Sequence, residues 1–323
     1  MSDLGARLVA ATVLAGAAEL LVLRLFTRTA VHVPGLSAFA TPYAVVAGIG
    51  RFAYYAAALL LIATLCVLAW DAAWRRTRRG IAVAAALLLF LGASALARAD
   101  LAQDGLLELV TVGAVAIIAV SGITSPAKRY ADMPRRGSVT LFAGAFLAAS
   151  LYGIAQGDGS APAWLLPLSE LLFLVWCLGA LLLTPRRIDR VAAAGGIAVA
   201  ASVLGALAAS EGTVKVLLLW NFGVAGLFPA WSYALAFGVF VYALVAVLRA
   251  GRSDAGIALA LLVIGGVGLN STYQTGMVLL GLTLLGLERS ARRVEPAITA
   301  SRAPTAGHHA SAPVAAPQIE VPT

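Results

Sequence analysis

Along its whole length the chain alternates long apolar runs with short polar connections. A helix needs about 20 apolar residues to cross roughly 30 Å of hydrocarbon. Runs of that kind cover 8–27, 44–70, 81–97, 105–123, 139–155, 162–184, 191–209 and 230–249. Two stretches depart from the pattern. Residues 214–229 are short for a crossing and contain Asn221 and Pro229. Residues 256–288 exceed one crossing but are interrupted by Asn270, Ser271, Thr272, Tyr273, Gln274 and Thr275. In one reading 214–229 is re-entrant or interfacial and 256–288 is a short helical hairpin with a polar tip. In the other, 214–229 is a full span and 256–288 is one broken helix with its polar residues at mid-membrane. The first is preferred, because only it puts Arg249 and Arg252 on the same side as the other cationic clusters.

The pattern predicts an all-α polytopic membrane domain of about 10 helices over residues 1–293. From 294 to 323 the chain is rich in Pro, Ala, Ser and Thr without apolar periodicity, and reads as a disordered cytoplasmic tail. Cutting near 160 leaves halves of five spans each when 214–229 is set aside, with Glu19 or Glu170 in each first helix. Inverted halves of this kind underlie many transporters, but no sequence identity accompanies the alignment here.

Composition excludes a water-soluble globule. The chain is 61% hydrophobic and 12% charged, with a mean hydropathy of +0.93, against roughly 45–50% apolar and 25% charged for soluble domains. The net charge of +8 does not indicate nucleic acid, because the cations punctuate apolar spans and form no continuous basic face. They gather as Arg75, Arg76, Arg78 and Arg79; Lys128, Arg129, Arg135 and Arg136; Arg186, Arg187 and Arg190; Arg249 and Arg252; and Arg289, Arg292 and Arg293. Translocated loops are poor in Lys and Arg, so the clusters predict a multi-pass cell-membrane protein with both termini cytoplasmic. The first apolar run continues through Glu19 to Leu25 with no small-residue cleavage site, which predicts a retained helix and not a signal peptide.

Redox and metal chemistry find little support. Cys66 and Cys177 lie inside apolar runs and read as small hydrophobes. His308 and His309 fall in the tail, which leaves only His32 near the membrane. A haem held by two histidines between helices is excluded, a Cys/His zinc site nearly so, and no cofactor is expected.

The informative residues are polar ones that lipid would exclude. A charge at mid-bilayer costs about 2.5–3.5 kcal/mol on insertion scales, so each needs a partner, a water-filled cavity or a function. Glu19 is near the middle of the first span, and Arg24 follows five residues later. On an α-helix that separation is about 140° of rotation, a poor geometry for a pair. Glu19 is therefore expected to find its partner on another helix, with Arg51 the best candidate. Glu108 and Glu170 enter their spans from the same outer side. Together with Asn221, Asn270, Tyr273 and Gln274, these residues define a candidate polar site in the extracytoplasmic half: Glu19, Arg24, Arg51, Glu108 and Glu170 supply its charges. Arginines would hold an anionic group and carboxylates would exchange protons. The same residues would also serve as salt bridges locking helices together.

Tyr54 and Tyr55 read as interface anchors, and the pairs Gly195-Gly196 and Gly265-Gly266 as points of close helix packing. Three functions fit. A small-solute transporter or permease suits the many spans, broken segments and buried ionisable groups. A noncatalytic membrane subunit, bound to other membrane subunits, suits the lack of redox ligands and catalytic motifs. An integral membrane enzyme acting on a lipid-linked substrate ranks last, because no HExxH, GxSxG or Asp-rich metal motif is present.

Overall fold

The computed structural model describes residues 2–27, 40–99, 104–124, 133–157, 159–209, 226–266 and 272–291. Among these it contains ten α-helices and no strand. They are α1 (Asp3–Glu19), α2 (Ala40–Trp74), α3 (Arg78–Arg98), α4 (Asp104–Ile123), α5 (Met133–Gly157), α6 (Leu165–Gly179), α7 (Arg190–Ala209), α8 (Ala230–Arg249), α9 (Ser253–Gly266) and α10 (Thr272–Ala291). A π-helical segment, Leu20–Thr27, prolongs α1, and a 3-10 turn, Ala180–Leu183, prolongs α6. The first eight, α1 and α6 counted with part or all of these extensions, are long and apolar enough to cross a membrane. The chain is thus an all-α polytopic membrane protein, with its helices where the apolar runs predict them. The Pro/Ala-rich tail lies outside the described residues.

Specific contacts set the helix directions. Thr12 and Thr64 share a hydrogen bond of 2.9 Å, and the Ser2 amide donates to Asp71 at 2.8 Å, so α1 and α2 are antiparallel. Arg79 donates to the Thr124 carbonyl, which ties the start of α3 to the end of α4. Ser169 on α6 donates to the Ala145 carbonyl of α5, while the Trp176 indole donates to Ser138. Asp189, just before α7, accepts from Arg249 at the end of α8, and Arg252 donates to the Leu183 carbonyl. The last two ties join the arginine-bearing turns before α7 and after α8.

Small residues allow the closest approaches. A Cβ on Gly196 would fall 2.6 Å from the Gly238 carbonyl oxygen, so α7 and α8 touch backbone to backbone. Because these two helices are antiparallel, the chain leaves α7 and enters α8 at the same end of the bundle. Most of the 214–229 segment, to residue 225, lies outside the described residues, but its flanks match the reading without a net crossing.

The 256–288 stretch forms two helices. A Cβ on Gly265 would lie 2.6 Å from the Gln274 carbonyl oxygen, and one on Gly281 would lie 3.0 Å from the Ala258 carbonyl oxygen. The rising residue numbers of one helix thus meet falling numbers of the other, as in an antiparallel hairpin. α9 has 14 residues, about 21 Å of helix, which is short of a full crossing. From Tyr273 to Leu285 every side chain of α10 is buried, so the hairpin forms the centre of the bundle, as expected of a helix that is apolar on all sides. The outer helices turn Phe52, Leu14 and Trp74 outward, apolar faces that suit contact with lipid.

Candidate functional site

Helix α9 is described as far as Gly266, which is buried, as is Ile264 two residues before it. Arg24 supplies a donor: its Nη2 lies 2.8 Å from the Ile264 carbonyl oxygen. The cation also sits at the negative end of the α9 dipole.

Arg24 simultaneously meets Glu19. Its Nε and Nη2 donate to the same carboxylate oxygen, at 3.0 Å and 2.7 Å. Both residues are 2% exposed. The expected partner, Arg51, is instead exposed and joins no ion pair among the described residues. The correction has a geometric cause. From Leu20 the helix is π-helical, with i→i+5 bonding and roughly 4.4 residues per turn, so five positions complete little more than one turn. Residues that α-helical spacing sets on different faces are thereby brought onto one. Gly50, not Arg51, faces this segment: a Cβ there would lie 3.2 Å from the Leu23 main chain.

Tyr273 completes this cluster from α10. It is 4% exposed, and its hydroxyl has no hydrogen-bond partner among the described residues. Its ring meets that of Tyr54 edge to face, with centroids 5.2 Å apart. A Cβ on Gly16 would lie 3.3 Å from the Tyr273 oxygen, 3.1 Å from the Met277 methyl and 3.2 Å from Ile264. A side chain at position 16 would crowd all three, so glycine eases the close approach of α1 to the hairpin. Glu19 and Arg24 both act electrostatically on the Tyr273 hydroxyl. Gln274 is buried beside it in sequence.

The second buried carboxylate has a different environment. Glu170 accepts from the Gly226 amide at 3.1 Å and from the Leu227 amide at 3.3 Å. Tyr233 donates its hydroxyl to the same carboxylate and accepts from the Phe228 amide at 2.9 Å. The main chain leading into α8 is thus fastened to α6. Sequence reasoning missed Tyr233, 63 positions away from its partner. The one local signal is its place in the first turn after Pro229.

Glu19 and Glu170 share no partner among the described residues. Both lie in the half of the bundle away from the arginine-bearing turns. Glu19 is about 24 Å along α1 from Asp3, and Glu170 about 8 Å from the far end of α6, at 1.5 Å per residue. Glu108 is exposed near the start of α4. Asn221 and Asn270 lie outside the described residues, as does His32. Among the described residues no group of His, Cys, Asp and Glu is placed to hold a metal ion.

The arrangement at Glu19 offers a buried ion pair, a hydroxyl without a hydrogen-bond partner among the described residues and an apolar lining. It can exchange one hydrogen-bond partner for another without exposing charge to lipid. Compared with family models, with characterised proteins and with solved structures, the chain matches none.

Proposed function

We propose that this protein is a small-solute transporter of the cell membrane whose solute site is the Glu19, Arg24 and Tyr273 cluster. The observation that carries the reading is the buried Tyr273 hydroxyl, which has no hydrogen-bond partner among the described residues, beside an ion pair that also holds the Ile264 carbonyl of α9. A purely structural cluster in hydrocarbon would gain by satisfying that hydroxyl. A solute site leaves it for the solute.

The surroundings support the same reading. Short, buried helices whose ends meet charged groups provide ligand positions within a bilayer while keeping irregular backbone away from lipid. With the arginine-bearing turns on the cytoplasmic side, the cluster opens towards the extracytoplasmic half. Separating α1 from the hairpin would break the Arg24 bond to Ile264, which couples solute exchange to movement of the hairpin.

A second reading, a noncatalytic membrane subunit, is favoured by one feature: the Glu170 cluster is satisfied entirely by the chain's own atoms. Purification in mild detergent followed by thermal unfolding with a panel of anionic, neutral and cationic solutes separates the two. Stabilisation of the isolated chain by one solute class supports transport, because a ligand that binds only the folded form raises stability. Absence of any response, together with stoichiometric copurification of other membrane proteins, rejects it in favour of the subunit.

A further inference from the structure

The turn between α2 and α3 gathers cations that the protein itself does not use. Elsewhere the arginines of such turns hold the chain together: Arg249 donates to Asp189 and Arg252 to the Leu183 carbonyl. Arg79 does the same, through the Thr124 carbonyl. Arg75, Arg76 and Arg78 form no hydrogen bond or ion pair with the described residues, and Arg76 and Arg78 are exposed. Asp71 accepts from the amide and hydroxyl of Ser2, which brings Asp3 to the same end of the bundle. No other acid occurs from residue 72 to residue 99, so the guanidiniums of this turn outnumber the carboxylates beside it. The turn is also tightly built. A Cβ on Gly80 would collide with the Ala72 carbonyl oxygen, and the Thr77 hydroxyl accepts from the Gly80 amide at 3.0 Å. Arg76 has a positive φ of 50°, a conformation that glycine or asparagine adopts with less strain. An arginine there keeps a cation at the tip of the turn.

Two indoles adjoin this charge. Trp70 and Trp74 stack with centroids 6.0 Å apart and rings 26° from parallel, yet they are 67% and 74% exposed. They continue an outward stripe of α2 that runs through Leu59, Ile62 and Cys66, spaced three or four positions apart on one helix face. At the edge of a bilayer tryptophan rings lie at the level of the headgroups, with such a stripe in the hydrocarbon beside them. The arginines that follow Trp74 are then at the depth of the lipid phosphates. A guanidinium presents paired N–H donors that match a phosphate, and the indoles add N–H donors of their own. We infer that this turn binds an anionic phospholipid, with Arg75, Arg76 and Arg78 on the headgroup phosphate and an acyl chain along the stripe from Trp74 to Leu59. A zwitterionic lipid carries its own cation next to the phosphate and gains less from the cluster. Free phosphate would leave the stripe unused. The site is at the opposite end of α1 from Glu19 and does not depend on the function proposed above.

The test uses the full-length protein in neutral detergent, titrated with phosphatidylglycerol, phosphatidylcholine or inorganic phosphate, with thermal midpoints read at low and high salt. Phosphatidylglycerol should stabilise at the lowest concentration, and salt should weaken its effect. Arg76→Gln and Arg78→Gln should each lower the apparent affinity about fivefold, and both together with Arg75→Gln about a hundredfold. Trp70→Leu with Trp74→Leu keeps the apolar stripe, so affinity should fall several-fold while the preference for phosphatidylglycerol remains. Arg186→Gln with Arg187→Gln, in a turn that has no tryptophan, should leave the response unchanged. Equal stabilisation by the two lipids overturns the site, as does equal stabilisation by inorganic phosphate. A response that survives the triple variant overturns it too, and so does one lost equally when Arg186 and Arg187 are replaced, which would show attraction to net charge alone. Should the triple variant fail to fold, the two single variants decide: an unchanged affinity in both rejects the site.

Discussion

The two buried carboxylates, Glu19 and Glu170, occupy the same half of the bundle but are balanced in opposite ways. Glu19 is held by a side chain, Arg24, which can move to another partner. Glu170 is held by the main-chain amides of Gly226 and Leu227 and by Tyr233, which position the start of α8. An ion pair between side chains is exchangeable at little structural cost once its charges stay balanced. A carboxylate that caps main-chain donors is a fastening, and no change elsewhere replaces it. Burial alone therefore does not mark a functional acid in a membrane; the identity of the partners does.

The largest expected effect separates these two kinds of partner. Arg24→Met leaves Glu19 buried without its cation and should cost about 3–5 kcal/mol. Adding Glu19→Leu should recover most of that, because replacing both members of a buried pair with apolar residues is often close to neutral. Thermal unfolding of the two single variants and the double variant measures the coupling directly. Additive losses would show that the pair is not a unit and would remove the contrast with Glu170.

At Glu170 the expected loss is smaller but cannot be rescued. Glu170→Gln keeps the shape yet turns an amide towards the donors of Gly226, Leu227 and Tyr233, and should cost about 1–3 kcal/mol. Tyr233→Phe, which also strips the acceptor from the Phe228 amide, should fall in the same range. Neither should alter affinity for a stabilising solute of the panel, measured by the ligand-induced shift of each variant against its own unliganded midpoint. A loss of affinity as large as that of Tyr273→Phe would join the two clusters into one site.

Tyr273→Phe reverses this profile. Its hydroxyl has no partner to lose among the described residues, so stability without ligand should not fall and should rise by about 1 kcal/mol as a buried unsatisfied group is removed. A loss should appear only in the shift produced by a stabilising solute of the panel. A marked loss of unliganded stability would mean that the hydroxyl has a structural partner.

Much of this architecture is legible in the amino-acid pattern, because span length and charge asymmetry are strong signals in a membrane protein. The α3 span was expected over 81–97 and forms at Arg78–Arg98. The hairpin was legible because a polar run from Asn270 to Thr275 interrupts apolar sequence, and Gly265 marked its close packing. The site was less so. Pairing Glu19 with Arg51 assumed 100° per residue throughout α1, and the π-helical segment from Leu20 breaks that assumption. No residue between Leu20 and Thr27 announces the change; burial of Arg24 at the end of α9 is a tertiary effect. Tyr233 was missed for a related reason, since a contact over 63 positions leaves no trace in local periodicity.

A third carboxylate, outside the membrane-spanning segments, calibrates the other two. Asp189 accepts from the Val191 and Ala192 amides at 2.9 and 3.0 Å and from Arg249 at 2.7 Å, a combination of both kinds of partner. The Ala192 amide, then Arg249, holds its carboxyl below the usual aspartate range. A folded-state value below the unfolded one means that the contribution to stability is complete above the ordinary aspartate value. It is lost as pH falls through the lower folded value. The difference in thermal midpoint between wild type and Asp189→Asn should therefore be small and constant at neutral pH, then shrink in acid. Arg249 is 53% exposed in its side chain, so added salt should shrink it too. Asparagine still caps α7, which leaves the ion pair as the part removed. A gap that widened in acid, or one as large as that of Glu170→Gln, would mean that solvent exposure does not set the scale, and the contrast drawn between the buried pair and the buried fastening would need another basis.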